Sequence, residues 1–486
     1  MSRRPLNRAT AHAPQVHPVR AIQFGAGRFL RGFFDWMVDR LNQEGHYRAA
    51  VAVVRPTDQG PYQELLEQEG LFHVVLRGLQ EGRPVEEIAL VGCVADAIQP
   101  YQAYEAFLAL AALPTVRLVV SNTTETGIRF QPEPFPTDRP AETFPGKLTA
   151  LLYRRFQHVE GAPQGGWILL PCELIQDNGQ RLREAVLQYA AHWDLPSEFH
   201  AWVERACLFC NTLVDRIVTG WPQEGADALW DRIGFQDRLL TVAEPYHLWA
   251  IQAPEWVAQA FPAAEAGLNV HFVQDITPFR ERKVRLLNGA HTAMTPLGLL
   301  AGLETVGQVV EDPELGPFIR ALMEEEIVPS MDLPPTELRA YVAQVWDRFR
   351  NPFLRHRLAD ILLYSISKWR VRLLPTLLAY TERFGQVPPR TVLALAGLLR
   401  LYRGAGQGRP LPIQDEAEPL ARIQAAWAQG GPPETLAAQL LQDPRLWGQD
   451  LSAISGLVSA VARALERLER EGVRAALRPL SLRGEG

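Results

Sequence analysis

Two hydrophobic periods alternate through the first 120 residues. Val19 to Phe24 is an apolar run that ends at Gly25. Beyond it, Phe29, Leu30, Phe33, Phe34, Met37, Val38 and Leu41 recur at the three-and-four spacing of a helix with one buried face. Ala49 to Val54 and Val116 to Val120 are further β-branched runs. Strand, helix, strand, with a glycine turn at the first junction, predicts a parallel sheet. Pro132 to Pro145 reads as a proline-rich loop, and Gly166 to Pro171 as another strand with helices after it. From about Pro278 the period is helical: Lys283 to Leu303, Pro317 to Ile327, Thr336 to Phe349, Leu373 to Phe384, Arg390 to Tyr402, and Pro433 to Leu477. No comparable strand series occurs there. The pattern predicts an α/β domain over residues 1–276 and a mainly α-helical domain over 277–486. Arg403 to Pro412 carries three alternate glycines, but no strand precedes it, so a linker is expected and not a phosphate cradle.

Composition narrows the function classes. A formal net charge of −6 gives no basis for a nucleic-acid or anionic-membrane partner. No run of about 18 apolar residues is present to span a bilayer. Met1 to Arg20 is basic and polar without an apolar stretch behind it, unlike a signal peptide. Four cysteines (Cys93, Cys172, Cys207, Cys210) are too few for a disulfide scaffold at this length, and a reducing cytoplasm is expected. Only three of the 49 basic residues are lysine: Lys147, Lys283 and Lys368. Arginine serves as the generic cation here. A lysine is the cation that can release its proton when its surroundings favour the neutral form.

The glycine turn Phe24-Gly25-Ala26-Gly27-Arg28-Phe29 lies between the first strand and the first helix. Glycine permits a tight turn there and a close approach of pyrophosphate to the backbone, while the helix start offers free N–H groups. The usual third glycine is absent, because Leu30 takes its place. Nucleotide binding and a plain strand-to-helix turn both fit the residues, and the βαβ context favours the first. After the second strand come Arg55, Pro56, Thr57 and Asp58. Asp58 suits a ribose 2′-hydroxyl and Arg55 a 2′-phosphate, and both also suit a solvated loop. Asn122, Thr124 and Glu125 follow the strand ending near Val120, at the edge where open α/β sheets bind ligands.

The sharpest constellation opens the helical half: Lys283, Asn288 and His291. On an α-helix Asn288 lies about 140° and His291 about 80° around from Lys283, within one arc. An amine, an amide and an imidazole on one face suit ketone–alcohol interconversion; a surface lysine and a core histidine on an ordinary amphipathic helix fit the same spacing, and the scarcity of lysine favours the first. The lysine would move the hydroxyl proton, and the other two would hydrogen-bond the oxygen where charge develops. With Lys283 read as lying near the helix start, the helix dipole and Arg280, Arg282 and Arg285 would favour its neutral form. Cys207-Leu208-Phe209-Cys210 lacks the partners of a zinc site and reads as buried thiols, so no metal is expected. His247 and His271 read as structural histidines.

Taken together, these segments resemble the mannitol dehydrogenase family, the polyol-specific long-chain dehydrogenases. The stretches that carry the resemblance are Ile22 to Arg31, Val120 to Glu125, Pro171 to Gly179, Asn211 to Ile217 and Glu281 to His291. The resemblance implies a Rossmann-type N-terminal domain, a helical C-terminal domain, an active site between them, and metal-independent catalysis with NAD, NADP not being excluded. It implies Lys283 as acid/base with Asn288 and His291 stabilising the oxygen. Phe24, Gly25, Gly27, Arg28, Phe29, Asp58, Asn122, Thr124 and Glu125 would then contact cofactor, and Asn178 and Arg280 would contact substrate. Polyol-oxidising members carry Cys-Asp-Asn where this chain has Cys172-Glu173-Leu174, and a Glu where it has Arg280. A cation there implies an anionic sugar-acid substrate. The expected reaction is reversible reduction of tagaturonate to altronate. Alternatives are the fructuronate–mannonate pair, a neutral polyol, or a dinucleotide-binding sensor without turnover. A monomer or small homo-oligomer is expected.

Overall fold

The computed structural model describes residues 3–57, 62–124, 126–222, 225–404 and 413–481. The chain divides into two compact units: Met1–Arg77 with Val85–Ile276, and Gly78–Pro84 with Thr277–Gly486.

The first unit is built on a six-stranded sheet. Numbering the strands of this sheet alone, they are β1 (Val19–Phe24), β2 (Ala50–Val54), β3 (Val94–Ile98), β4 (Leu118–Ser121), β5 (Ile168–Pro171) and β6 (Leu208–Phe209). Their order is β3-β2-β1-β4-β5-β6, with every neighbouring pair parallel. This is the doubly wound Rossmann arrangement. Its sequence logic is period two on strands buried on both faces. Ala21, Val51, Val53, Leu118, Val120 and Leu170 point to one core with Phe33, Phe34, Met37 and Leu41 of the first helix. Ile22, Phe24, Ala52, Val54, Val119 and Leu169 point to the other, with Leu148, Leu151 and Leu152 of Phe144–His158 and Val186 of Asn178–His192. Each large apolar side chain buried in this way contributes about 1.5–3 kcal/mol.

The first helix runs Arg28–Leu30, a π turn Arg31–Asp35, and Trp36–Gln43. Strands also occur where the sequence pattern predicts none. The hairpin Phe72–Gln80/Arg83–Val91 joins Val218–Gly220 and Thr241–Ala243 in a four-stranded sheet. Asn211–Asp215, Leu248–Gln252 and Val270–Val273 form another. Helices do follow β5, but beyond Ala206 short strands alternate with the helices Ala226–Ile233 and Val257–Ala260. These strands are mostly three to five residues long, too short for a period of two to stand out from loop.

Apart from the hairpin tip, the described part of the second unit is helical, with one isolated bridge between Thr305 and Arg357. Its opening helix begins at Thr277, six residues earlier than the apolar spacing suggests, and continues through a π turn Lys283–Asn288 into Gly289–Leu300. Gly298 and Gly397 mark close helix packing. A Cβ on Gly397 would stand 2.7 Å from Leu297, and one on Gly298 would stand 2.7 Å from Val309. Pro389–Leu401 is buried along most of its length. Of the Arg403 to Pro412 segment, residues 405–412 lie outside the described residues. No described helix is long and apolar enough to cross a membrane.

A third π turn, Leu322–Ile327, carries Glu326, which is 1% exposed. Its carboxylate accepts from the N–H groups of Arg390 (2.7 Å) and Thr391 (2.8 Å) and from the Thr391 hydroxyl (2.8 Å). It thereby satisfies open donors at the start of Pro389–Leu401. Glu326→Ala should lower the calorimetric unfolding midpoint by about 5–15 °C, as expected for about 2–4 kcal/mol. An unchanged midpoint would show that this cap does not support the unit.

Candidate functional site

In the first unit the glycine turn sits at the carboxyl end of β1, between the ends of β2 and β4. The N–H of Gly25 donates to Val54 O (2.9 Å), and that of Asn122 to Phe24 O (3.1 Å). Gly25 has φ +124°, and a Cβ on it would stand 3.0 Å from the carbonyl oxygen of Asn122. Glycine is therefore required on both conformational and steric grounds. Gly27 is the N-cap of the helix and supplies no side-chain acceptor, which leaves the first-turn N–H groups without a side-chain cap. A cradle a Cβ would fill, beside an uncapped helix start, fits the pyrophosphate of a dinucleotide.

Two side chains the sequence reading did not single out brace this turn. Gln23 Nε2 donates to Gly25 O (2.9 Å) and to Asp35 Oδ2 (3.3 Å). Arg31, buried, donates from Nη1 to Ala26 O (2.6 Å) and from Nε to Thr241 Oγ1 (3.1 Å). Arg28 Nη1 donates to Thr219 O (2.8 Å), and Phe29 stacks on Phe33 with centroids 4.9 Å apart. The Phe24 ring belongs to the core, against Phe107 and Phe144, so only its backbone serves the turn.

After β4, Asn122 Nδ2 donates to Cys172 O (2.8 Å), and the hydroxyls of Thr124 and Thr126 lie 3.3 Å apart. The residue that shapes this loop is Glu173, which sequence reasoning noted only as a departure from the family pattern. Its carboxylate, 3% exposed, accepts from Ser121 Oγ (3.0 Å), Thr123 N (2.9 Å) and Thr123 Oγ1 (3.0 Å). Burial pushes its pKa up, against those hydrogen bonds. Asn178 is corrected from substrate ligand to structural residue. Its Nδ2 lies 2.9, 3.1 and 3.2 Å from the carbonyls of Pro171, Glu173 and Thr212, and its Oδ1 accepts from Gly179 and Thr212 N–H. At 1% exposure it ties β5 to the strand Asn211–Asp215 and has no donor or acceptor left for a ligand. Asp58 and Glu125 lie outside the described residues. Arg55 donates to Gln99 Oε1 and lies 5.7 Å from the Tyr62 ring centroid.

In the second unit, Lys283 and Asn288 are the first and last residues of a π turn. The Gly289 N–H reaches Val284 O, five residues back. That wider turn brings the fifth residue close to the azimuth of the first, much as the fourth lies in an α-helix. Asn288 is thus rotated toward Lys283 instead of standing about 140° away. Both are half-buried, and His291 one turn on is buried, its ring 4.6 Å from Phe349 and 4.8 Å from His356. Pro296 leaves Thr292 without its usual helical donor. The hydroxyls of Thr292 and Thr295 bond the carbonyls of Asn288 (2.9 Å) and His291 (2.7 Å).

One sequence argument fails. Lys283 is not at the helix start: six residues precede it, and the dipole effect fades within the first turn. Nor do Arg282 and Arg285 simply crowd the amine. Arg282 lies 4.5 Å from the Tyr341 ring centroid and 5.2 Å from that of Phe279. Arg285, buried, donates to Ser330 and Thr376. Arg280 is half-buried three residues before Lys283, on nearly the same side of the helix.

The four cysteines are buried and free, and burial pushes Cys207 and Cys210 up to about 12. His247 Nε2 accepts from Asn269 N–H (2.9 Å), and burial, then Arg216, pushes its pKa down to about 4. Among the described residues no group of three or more His, Cys, Asp or Glu is arranged to hold a metal ion.

Residues 19–263 match the mannitol dehydrogenase Rossmann domain and residues 275–469 the mannitol dehydrogenase C-terminal domain. The altronate oxidoreductase of Yersinia pestis is 44% identical over 466 residues, covering 95% of this chain and 96% of that protein. That of Pectobacterium carotovorum is 45% identical over 471 residues, covering 95% and 96%. Among solved structures, a substrate-free D-sorbitol dehydrogenase superposes with a TM-score of 0.81 at 22% identity, over 97% of this chain and 100% of that one. Pseudomonas fluorescens mannitol 2-dehydrogenase, in a ternary complex with NAD and D-mannitol, gives 0.68 at 23%, over 99% and 100%.

The buried carboxyl behind the glycine turn should show in the pH dependence of stability. Burial raises the Asp35 pKa to about 7, partly offset by Gln23 and Arg31. The unfolded chain releases this proton near the ordinary aspartate value of about 3.9. Between those values the folded state holds the proton more tightly, so this group's contribution falls as pH rises toward 7. Asp35→Asn should therefore be more stable than the parent at pH 8, by about 4 kcal/mol at most. The advantage should shrink toward pH 4–5 in thermal unfolding. A pH-independent difference would contradict the assignment.

Proposed function

The chain belongs to the mannitol dehydrogenase family, and on that footing we propose that it is an oxidoreductase that reversibly reduces D-tagaturonate to D-altronate with NADH. The observation that supports the chemistry is the π turn Lys283–Asn288, whose wider geometry turns Asn288 toward the lysine's side of the helix, one turn before His291. The substrate is argued from the relatives named altronate oxidoreductase and from the cation at position 280. A cytoplasmic site of action fits the buried free thiols.

Phe24, Gly25 and Gly27, through their backbone, and the start of the first helix would hold the dinucleotide pyrophosphate, with Gln23 and Arg31 keeping the turn in shape. Asn122 and Thr124 would line the same strand ends, Glu125 is proposed as a further cofactor contact, and Asp58 would favour NAD over NADP. The bound nicotinamide supplies the hydride in reduction and accepts it in oxidation. In reduction the Lys283 ammonium gives a proton to the ketone oxygen as the carbonyl carbon becomes C–H, and Lys283 is left neutral. In oxidation the neutral amine takes the hydroxyl proton. The Asn288 amide and a ring N–H of His291 donate to that oxygen while it carries negative charge. Arg280 adds positive charge on the lysine's side of the helix, which favours a sugar acid over a neutral polyol.

Lys283→Ala should reduce kcat by about 10²–10⁴-fold while NADH affinity, followed by fluorescence titration, changes little. Loss of both together, or of neither, would contradict the assigned role, and retained turnover would leave only the dinucleotide-binding part of the reading. Arg280→Glu should lose the preference for tagaturonate over fructose in steady-state rates with NADH. An unchanged profile across tagaturonate, fructuronate and fructose sinks the proposed role of Arg280. Parallel assays with NADPH test the cofactor choice.

A further inference from the structure

The short helix Ser365–Arg372 packs against both the π turn and the helical segment that follows it. The contact is close. A Cβ on Gly289, the residue after Asn288, would stand 3.4 Å from the carbonyl oxygen of Arg372. From this position the Arg372 guanidinium reaches back to the same helix, where Nη1 donates to Thr292 Oγ1 at 3.2 Å. Thr292 directly follows His291 and stands one turn beyond Asn288, whose carbonyl its hydroxyl holds.

The partners of Arg372, which is half-buried, set it apart from the buried cations Arg390 and Arg155. Arg390 has Glu325 and Glu326, and Arg155 donates to three carbonyls. Arg372 has one neutral hydroxyl for a group with five N–H donors, and among the described residues no carboxylate pairs with it. Burial alone pushes its pKa down, to about 10. Lys368, four residues earlier on the same helix, is a second cation on that side. Its pKa is pushed down by burial and then by the charge of Arg372. Like charges at this spacing destabilise a helix unless an anion joins them. A partly desolvated, under-paired guanidinium beside the proposed oxygen-binding residues has the chemistry of a carboxylate receptor.

We propose that Arg372 is a specificity-determining residue that binds the carboxylate of the sugar acid, an inference that rests on the substrate class proposed above. Arg280 contributes attraction at a distance, which salt screens, whereas Arg372 would make a direct contact, partly shielded from water and screened less.

The test is steady-state kinetics of the parent, Arg372→Gln and Arg372→Lys with D-tagaturonate and D-fructose, each with NADH, at low and high salt. NADH titration and the thermal midpoint report folding of each variant. Arg372→Gln should raise KM for tagaturonate about tenfold to hundredfold, with a smaller change in kcat and no loss of fructose turnover. Arg372→Lys should recover part of the affinity, and the defect should persist at high salt. Equal losses on both substrates, or none on either, in a folded variant would overturn the role of Arg372. A parent enzyme that does not prefer tagaturonate overturns the proposed substrate class and this inference with it. A parent that prefers tagaturonate alongside a variant that keeps the preference overturns only the assignment of Arg372.

Discussion

The wide turn Lys283–Asn288, closed by the Gly289 N–H shared between carbonyls three and five residues back, sets the register of the helix that carries the proposed chemistry. Continued as plain α-helix, that segment would turn Asn288 well away from Lys283. Widened by one residue, it sets amine and amide on adjoining azimuths with an imidazole one turn beyond. Isolated π turns cost hydrogen-bond geometry and persist where something else fixes them. Here the Thr292 and Thr295 hydroxyls hold the carbonyls of Asn288 and His291, and Gly289 lets the chain at Arg372 press close. The other two π turns also carry polar groups at structural junctions. Arg31–Asp35 holds Arg31, which braces the glycine turn, and Asp35, which accepts from the second brace Gln23, and Leu322–Ile327 holds the Glu326 cap.

Much of the fold was legible in the sequence because its main sheet is parallel and covered on both sides. Such strands are largely apolar, so Val19–Phe24 stands out despite Arg20 and Gln23, and so does the helical stripe from Phe29 to Leu41. The strands between Leu208 and Val273 escaped notice because they are short. The hairpin Phe72–Gln80/Arg83–Val91 escaped because the first half of its second strand, residues 83–87, is mostly exposed and polar. The start of the opening helix of the second unit was missed because Thr277 to Arg282 buries no residue, so no apolar stripe marks it.

The candidate site was legible in parts, for related reasons. Glycine at position 25 could be read from residue type, since a positive φ and a close carbonyl leave little choice. The braces Gln23 and Arg31 could not, because nothing local shows that their side chains fold back on the turn. Asn178 lies in a segment that resembles a family block, and its amide proved to be consumed by main-chain bonds. The scarcity of lysine was a weaker guide than it looked. Lys147 is fully buried and donates to Tyr101 Oη and Glu142 O, with its pKa pushed down to about 8 by burial. Lys368 donates to Ile361 O. A rare lysine can therefore be structural, and Lys283 stands out by its place on the π turn more than by its rarity.

These features meet in the claim that Lys283, Asn288 and His291 address one oxygen. A crystal structure of the complex with dinucleotide and sugar acid measures this directly. The account predicts the Lys283 amine, the Asn288 amide nitrogen and a ring nitrogen of His291 within about 3.2 Å of the oxygen on the reacting carbon. A lysine amine that points away from that oxygen, with another side chain in its place, would contradict it.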